Sequence, residues 1–206
     1  MSRRIVVALT GASGIAYGIK LLEHRALLRR AYGEVYVVYS ENAARVARFE
    51  ENMDLKDYLS RLDVDAVYFS QDIDAPLASS SRLVNTDMVI IPASLNTIAK
   101  VANGIQDNLI TRVACNVLRL KGKLVVVLRE TPLSIIDLSN LYRIAQAGAV
   151  VLPASPALYP KPRTVDEVVD FIVGKVLDVL GVDHNLYRRW DRTYLQQSRN
   201  KEVINK

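Results

Sequence analysis

Six short apolar segments recur along the chain, and each is followed by a polar or glycine-containing turn. They cover residues 4–10, 34–39, 64–69, 88–91, 123–128 and 149–152. These segments are rich in β-branched residues and lack the polar alternation of half-exposed strands, so they predict strands buried on both faces. Because helical spacing separates most of them, they predict a mostly parallel sheet.

Apolar residues at intervals of three and four predict the helices. They cover residues 15–30, 41–51, 108–120, 134–148 and 165–180, with a further helix after a turn at 93–97. Ser40 and Thr164 stand where N-caps are expected, and Glu167 completes a capping-box pattern with Thr164. The sequence therefore predicts an α/β fold, Rossmann-like or flavodoxin-like, with a mostly parallel six-stranded sheet and helices on both faces.

The chain of 206 residues has a length that suits one α/β domain with a full core. It shows no repeat and no linker, so we predict a single domain over residues 1–206. Residues 183–206 form a polar and basic C-terminal tail that carries Tyr187, Trp190 and Tyr194. The tail is either a frayed end or a helical flap that packs on a neighbour.

Composition and charge indicate which kind of ligand the protein binds. The formal net charge of +5 and the pI near 9.3 favour anionic ligands. The basic residues are scattered without interleaved aromatics, which favours a phosphorylated small molecule over nucleic acid. No apolar run reaches the roughly 18 residues of a membrane helix, and the N-terminus lacks a cleavable signal pattern, so we expect a cytoplasmic protein without membrane contact. The single cysteine, Cys115, excludes an internal disulfide.

The stretch DMVIIPASLNTIAKVANGIQDNLITR, residues 87–112, is the leading candidate for a binding site. Pro92 is expected to end the strand at 88–91, because proline offers no N–H to a ladder. Ser94, Asn96 and Thr97 then place hydroxyl and amide groups at a helix N-terminus. Phosphorylated ligands bind at such strand–loop–helix junctions, although a plain capped turn explains the pattern equally well.

A glycine-containing turn follows the first strand. Gly11, Gly14 and Gly18 differ in spacing from the G-x-G-x-x-G pattern, so the motif is weak, but glycines let a phosphate approach the backbone. Ser13 adds a hydroxyl donor. Ser40, after the second strand, is explained by capping alone or by a ligand contact.

Two charged residues follow the fifth strand directly. Arg129 and Glu130 stand before Pro132, at the end of a strand where α/β proteins place functional residues, although a structural ion pair is the alternative. Parallel strands bring their carboxyl ends to one edge. The residues expected to converge there are Ser13, Ser40, Ser94, Arg129, Glu130 and Tyr159.

Five segments in order carry a family resemblance: TGASGIAYG, PASLNTIAKVANGIQDNLITR, LVVVLRETPL, GAVVLPASPALY and TVDEVVDFIVGKVLD. Together they resemble the UbiX family of flavin prenyltransferases over most of residues 4–181. The resemblance implies transfer of the dimethylallyl group of dimethylallyl monophosphate to N5 and C6 of reduced FMN, with release of phosphate. The product, prenylated FMN, would serve a UbiD-type decarboxylase. A homo-oligomer, by family pattern a dodecamer, is also implied.

The same resemblance implies roles for individual residues. The expected FMN-binding residues are Gly11, Ala12, Ser13, Ser40, Ser94, Leu95, Asn96, Thr97 and Arg129. The expected dimethylallyl phosphate ligands are Arg112, Arg119, Tyr159 and Lys175, and the expected catalytic residues are Glu130, Arg129, Glu50 and Ser13. Glu50 matches a glutamate that the family contributes from a neighbouring subunit. The sequence shows no clustered aspartates typical of a magnesium site, so no metal is expected.

Three positions depart from the family's usual pattern. Arg119 stands where lysine is usual and Lys175 where arginine is usual, which keeps the charge but changes the donor geometry. Ser94–Thr97 reads S-L-N-T, where serine-x-lysine-threonine is frequent. That variant also resembles FMN-dependent cysteine decarboxylases of the phosphopantothenoylcysteine type, which use an active-site histidine. Neither His24 nor His184 is placed for such a base. A non-catalytic flavin-binding protein is the third alternative.

Overall fold

A computed structural model describes residues 3–191, which form one parallel six-stranded sheet with helices on both faces. The strands are β1 (Arg4–Leu9), β2 (Glu34–Tyr39), β3 (Ala66–Phe69), β4 (Thr86–Ala93), β5 (Leu124–Leu128) and β6 (Val150–Pro153). Their order is β3-β2-β1-β4-β5-β6, and each neighbouring pair is parallel. This confirms the predicted α/β fold.

The sheet separates two apolar clusters, as the continuous apolar strands require. On β1, Ile5, Val7 and Leu9 contribute to one cluster, while Val6 and Ala8 contribute to the other. All six residues of this strand are buried, because side chains alternate between two covered faces. Burial of both faces fixes the register, since a slip by one residue would exchange the two sets of side chains.

Eight α-helices cover the sheet in the described part of the chain. They are α1 (Ile15–Glu23), α2 (Arg25–Tyr32), α3 (Glu41–Glu51), α4 (Leu55–Ser60), α5 (Leu95–Ala102), α6 (Leu109–Arg119), α7 (Ile135–Gln146) and α8 (Val165–Leu180). Helices α1 to α4 and α8 pack on one face, and α5 to α7 pack on the other. No helix among residues 3–191 is long and apolar enough to span a membrane.

The structure corrects two predicted element boundaries. The helix predicted over residues 15–30 is two helices separated at His24, and the apolar spacing hides this break because both halves bury side chains on the same face. Pro92 does not end β4, which continues to Ala93. The strand accommodates the proline because the pairing of β4 with β5 shifts register between Ile90 and Ala93.

The predicted N-caps are confirmed, with one change in detail. The Ser40 and Thr164 side chains accept hydrogen bonds from Ala43 N and Glu167 N. The predicted capping box at Thr164 is wrong in its second half, because the Glu167 carboxylate accepts from the backbone N–H of Arg163 instead. A true capping box lies at the start of α7.

The segment after α8 folds back onto that helix. A side chain at Gly174 would meet the rings of Tyr187 and His184 at 2.5 and 2.8 Å, so glycine permits this close packing. The aromatic ring of Tyr187 also lies 4.8 Å from that of Phe171, measured between centroids. Residues 183–191 of the predicted tail therefore pack on their own chain. The remainder, including Tyr194, lies outside the described residues.

Candidate functional site at the carboxyl edge of the sheet

Three helix N-termini meet at the carboxyl edge, around the ends of β1, β2 and β4. The Ser94 side chain caps α5 by accepting from Thr97 N at 3.3 Å, and its Oγ lies 3.0 Å from Thr97 Oγ1. Ser40 caps α3, and its own N–H donates to Leu9 O at 3.0 Å. Because the first turns of helices carry unpaired N–H groups and a partial positive charge, this edge favours an anionic ligand.

The turn after β1 needs glycine at two positions. Gly14 adopts φ +92°, and a side chain there would meet the Tyr17 ring at 2.7 Å. At Gly11, an added Cβ would lie 2.3 Å from the Asn42 Cβ, because the turn after β1 closely approaches the first turn of α3. Ser13 is exposed at the tip of this turn. The glycines that formed a weak motif in the sequence are therefore required by the tertiary packing.

Glu50 lies at the same turn within its own chain. Its Oε2 accepts from Gly14 N at 2.8 Å and from Ile15 N at 3.1 Å, which satisfies the start of α1, where no N-cap side chain bonds. The Glu50 carboxylate therefore has two hydrogen-bond donors in its own chain. A single chain does not test the neighbouring-subunit role, which stays a prediction.

Arg129 connects the loop after β5 to the loop after β1. Its Nε donates to Ser13 O at 3.0 Å, and its Nη1 lies 3.8 Å from Glu130 Oε1. Glu130 Oε1 also accepts from Thr131 N at 3.0 Å. The side chains of both residues are about one third exposed, at 33% and 35%. The predicted Arg–Glu pair therefore lies at the site edge, where both charged groups remain open to a ligand.

Sequence reasoning missed two residues at this edge. Thr10 is buried, and its hydroxyl contacts backbone atoms of Pro92 and Ser94. Tyr17 packs against Gly14. Burial raises the pKa of the Tyr17 hydroxyl, while Arg129 lowers that pKa and Glu50 raises it, so the phenol lies within the field of both charged groups. Position carried the only signal: Thr10 directly follows β1, and Tyr17 lies in the first turn of α1.

Tyr159 and Lys175 lie at the β6 and α8 side of the sheet. The Tyr159 ring is perpendicular to those of Phe171 and Trp190, at centroid distances of 6.3 and 5.2 Å. Lys175 Nζ donates to Asp178 Oδ2 and to the Tyr187 hydroxyl, each at 3.2 Å. Tyr159 follows the carboxyl end of β6, as predicted.

Lys175 lines one cavity together with residues of β6 and of the loop that follows this strand. One turn later, the Val179 carbonyl accepts from Lys123 Nζ, and Lys123 immediately precedes β5 at the amino edge. Lys175 therefore lies beside β6, between the two edges of the sheet.

Arg112 and Arg119 lie on α6, across the sheet from α8. Arg112 Nε donates to Ala78 O at 2.8 Å, and Arg119 donates to the Asn116 side chain. Arg119 ends α6 close to Gly122, which packs against the carbonyl of Thr86 at the start of β4. Arg119 is therefore at the amino edge of the sheet, and one chain does not bring it to Arg129.

The carboxyl edge fits a phosphorylated flavin. Helix N-termini and hydroxyls of Ser13, Ser40, Ser94 and Thr97 supply donors for a phosphate, and Arg129 supplies a cation. The turn at Gly11 and Gly14 leaves no room for a side chain at either position, so the backbone itself lines this part of the edge. Among residues 3–191, no group of three histidine, cysteine or acidic side chains could hold a metal ion.

Comparisons with known proteins agree with this reading. The family model named Flavoprotein matches residues 1–177, so fold and site define a flavoprotein. The flavin prenyltransferase UbiX of Saccharolobus solfataricus is 40% identical over 190 residues, covering 92% of each chain. The chain belongs to the UbiX family of flavin prenyltransferases, and the resemblance seen in the sequence is confirmed.

Two solved structures support the same assignment. AnUbiX, solved in complex with FMN and dimethylallyl pyrophosphate, superposes with a TM-score of 0.84 at 37% identity, covering 93% of this chain and 98% of that one. A dodecameric FMN-dependent UbiX-like decarboxylase from Escherichia coli O157:H7 gives a TM-score of 0.83 at 34% identity, covering 91% and 99%.

The positions of the two histidines argue against the cysteine decarboxylase alternative. His24 separates α1 from α2, and its Nε2 lies 4.0 Å from Asp170 on α8. The His184 side chain is fully buried against α8, where Nε2 lies 3.0 Å from Asp178 Oδ1. Neither ring lies at the carboxyl edge beside Arg129, so neither is placed as a base there.

Proposed function

We propose that this flavin prenyltransferase binds reduced FMN at the carboxyl edge and transfers to it the dimethylallyl group of dimethylallyl monophosphate. The hydrogen bond from Arg129 Nε to Ser13 O carries this proposal, because it places a cation beside the predicted flavin-binding turn. The flavin-binding set comprises Gly11, Ala12, Ser13, Ser40, Ser94, Leu95, Asn96, Thr97 and Arg129. Reduced FMN supplies nucleophilic atoms at N5 and C6.

The first bond, between FMN N5 and the dimethylallyl group, forms as the phosphate departs. The chain contributes to this step mainly by stabilising the charge of the departing phosphate. Besides the Nε that is bound to Ser13, the Arg129 guanidinium carries two Nη groups that can donate to an anion, one of them 3.8 Å from Glu130 Oε1. A hydrogen bond to a charged group contributes about 1.5–3 kcal/mol, so several such donors supply much of the leaving-group stabilisation without a metal. Tyr159 lies at the same edge and would contact the substrate phosphate.

Glu130 is proposed as the acid/base residue. Attack by N5 breaks the bond between the dimethylallyl group and the phosphate oxygen, and the departing phosphate takes up the N5 proton. Closure at C6 then consumes the dimethylallyl double bond, which takes up one proton while the C6 proton is released, so this step needs a group that exchanges protons. The Glu130 carboxylate is open to the site and is held by Thr131 N, so it can exchange these protons while remaining in place. Glu50 would hold the start of α1 and, by family resemblance, contribute to the chemistry together with Ser13.

Arg119 reaches the proposed phosphate site only from another copy of the chain, because it lies at the amino edge of the sheet. Arg112, in the first turn of α6, and Lys175, beside β6, are the other proposed phosphate ligands. We therefore propose a homo-oligomer, a dodecamer as in the E. coli relative, with sites at subunit interfaces. A UbiD-type decarboxylase is the proposed recipient of prenylated FMN. The cytoplasmic location expected from the sequence stays a prediction.

An anaerobic assay with purified protein tests the function. Reduced FMN and dimethylallyl monophosphate should yield prenylated FMN by mass spectrometry, together with stoichiometric inorganic phosphate. A parallel reaction with dimethylallyl pyrophosphate, the compound bound to AnUbiX, determines which leaving group is used. Product from neither donor, with cysteine decarboxylation instead, would overturn the proposal. Flavin binding without either reaction would leave a non-catalytic flavin-binding protein.

A further inference from the structure

A buried hydroxyl joins the two loops that the proposed flavin site uses. Thr10 is 1% exposed, and its Oγ1 donates to Pro92 O at 2.7 Å and accepts from Ser94 N at 2.8 Å. Pro92 and Ala93 are also buried. Both bonds therefore form away from solvent, where water does not replace a lost partner.

These bonds continue the sheet beyond its backbone pairing. Register pairs between β1 and β4 end at Ala8 and Ile90. The carbonyl of Thr10 accepts from Ala12 N at 2.9 Å, so the backbone has already turned into the loop. In a parallel ladder, one residue bonds the N–H and C=O groups on either side of the residue opposite. The Thr10 hydroxyl bonds those two groups around Ala93, with one oxygen acting as donor and acceptor.

We infer that Thr10 is a positioning residue for the flavin site, which it serves by fixing the loop after β1 against the loop after β4. The inference rests on the proposed placement of FMN at this edge. Gly11–Ser13 follow Thr10 directly, and Ser94 opens α5. Since the hydroxyl bonds Ser94 N, it determines how the two flavin-binding segments are spaced. Strands β1 and β4 adjoin where the strand order reverses, which is where α/β sheets bind ligands.

Two substitutions at Thr10 distinguish the effect of the hydroxyl from the effect of side-chain volume. Thr10→Val keeps the shape and removes both hydrogen bonds, whereas Thr10→Ser keeps the hydroxyl. Thr86→Val is the matched control, because Thr86 is also 1% exposed, lies at the opposite end of β4 and has an Oγ1 without a hydrogen-bond partner among the described residues. FMN affinity, measured by quenching of flavin fluorescence, is the readout.

We expect Thr10→Val to raise the FMN dissociation constant at least about tenfold, while Thr10→Ser and Thr86→Val stay within about threefold of wild type. Circular dichroism confirms folding of each variant. Unchanged affinity in folded Thr10→Val, or equal losses in Thr10→Ser and Thr10→Val, would overturn the inference.

If Thr10→Val does not fold, Thr10→Ala and Thr10→Ser provide a second pair that differs by one oxygen. Weaker FMN binding by a folded alanine variant supports the inference. If neither Thr10→Val nor Thr10→Ala folds, the hydroxyl is needed for folding itself, and the inference is overturned. The measurement uses FMN alone and does not depend on prenyl transfer. A protein that binds FMN but transfers no dimethylallyl group would therefore refute the proposed function without changing the outcome of this test.

Discussion

Arg129 donates from its Nε to the carbonyl of Ser13 at 3.0 Å, across the carboxyl end of β4. The bond links the loops after β5 and β1, which are separated by one strand in the sheet. It aligns the guanidinium beside the turn that is proposed to hold the flavin. The same side chain therefore joins two loops and places a positive charge at the proposed flavin site.

The Arg129 contact predicts a large effect of substitution. Arg129→Ala should lower kcat/KM for prenyl transfer by about 10²-fold or more, because it removes the cation and the bond to Ser13. Arg129→Lys keeps the charge without the planar donor fork and should recover only part of the activity. Steady-state phosphate release measures both. Arg61→Ala, which removes an exposed arginine paired with Asp57, should change nothing; equal activity in Arg129→Ala would contradict the assignment.

Glu130→Gln removes the titrating group but keeps the size and hydrogen-bonding reach of the side chain. We expect mature product to form about 10²–10⁴-fold more slowly, with FMN and dimethylallyl phosphate bound as in wild type, because the variant lacks a proton acceptor. Anaerobic single-turnover absorbance and mass spectrometry measure the rate. Glu41→Gln, on the exposed side of α3, is the control. A wild-type rate in Glu130→Gln would show that this carboxylate is only a counter-charge.

Ser94→Tyr places bulk at the start of α5 and removes its N-cap. We expect the purified variant to contain less than about one tenth of the wild-type flavin, because the ring would occupy the proposed flavin position and the cap contributes about 1 kcal/mol. Absorbance of the purified protein gives the flavin content. Ser139→Tyr, at an exposed position on α7, adds the same ring elsewhere. Equal flavin content in both variants would place the site away from this turn.

Separation of Arg119 from Arg129 within one chain predicts complementation between subunits. Arg119→Ala and Arg129→Ala should each be nearly inactive alone. Assemblies formed by co-expressing the two variants should regain activity, with about a quarter of the sites intact after random mixing across one interface. Light scattering confirms that the variants co-assemble. Inactive mixed assemblies would indicate that Arg119 does not serve a neighbour's site.

The interactions of Asp178 predict that the packing of the segment after α8 is weakened in acid. Burial acts to raise its pKa, but hydrogen bonds from Tyr187, Arg189, His184 and Lys175 hold the pKa far below the ordinary value. A depressed pKa in the folded state means that the stabilisation is present above the unfolded value of about 4 and is lost as pH falls below it.

Asp178→Asn should therefore reduce the free energy of unfolding at neutral pH by about 1–3 kcal/mol. The variant should also lose less stability than wild type as pH falls from 5 to 3. Urea unfolding at each pH measures both effects. Asp57→Asn, which removes an exposed pair with Arg61, is the control. Parallel pH profiles for wild type and Asp178→Asn would show that this carboxylate does not set the acid response.

The sequence by itself determined the six strands, most helix limits and the N-caps at Ser40, Ser94 and Thr164. These features depend on local periodicity and on short-range hydrogen bonds, which neighbouring residues specify. It also placed Arg129 and Glu130 at the carboxyl edge, because parallel strands share their direction. The sequence did not predict the break between α1 and α2 at His24, because both helices bury side chains on the same face of the sheet.

Only the tertiary structure decided which loops meet. The bonds of Glu50 to the start of α1, of Thr10 to Ser94, and of Arg129 to Ser13 join residues 35 to 116 positions apart. No periodicity encodes such contacts, because they depend on strand order. The same order places Arg119 at the amino edge, although the family resemblance implies that it binds the substrate phosphate. Residue type indicated the chemistry, and the arrangement of strands decided which residues one chain can bring together.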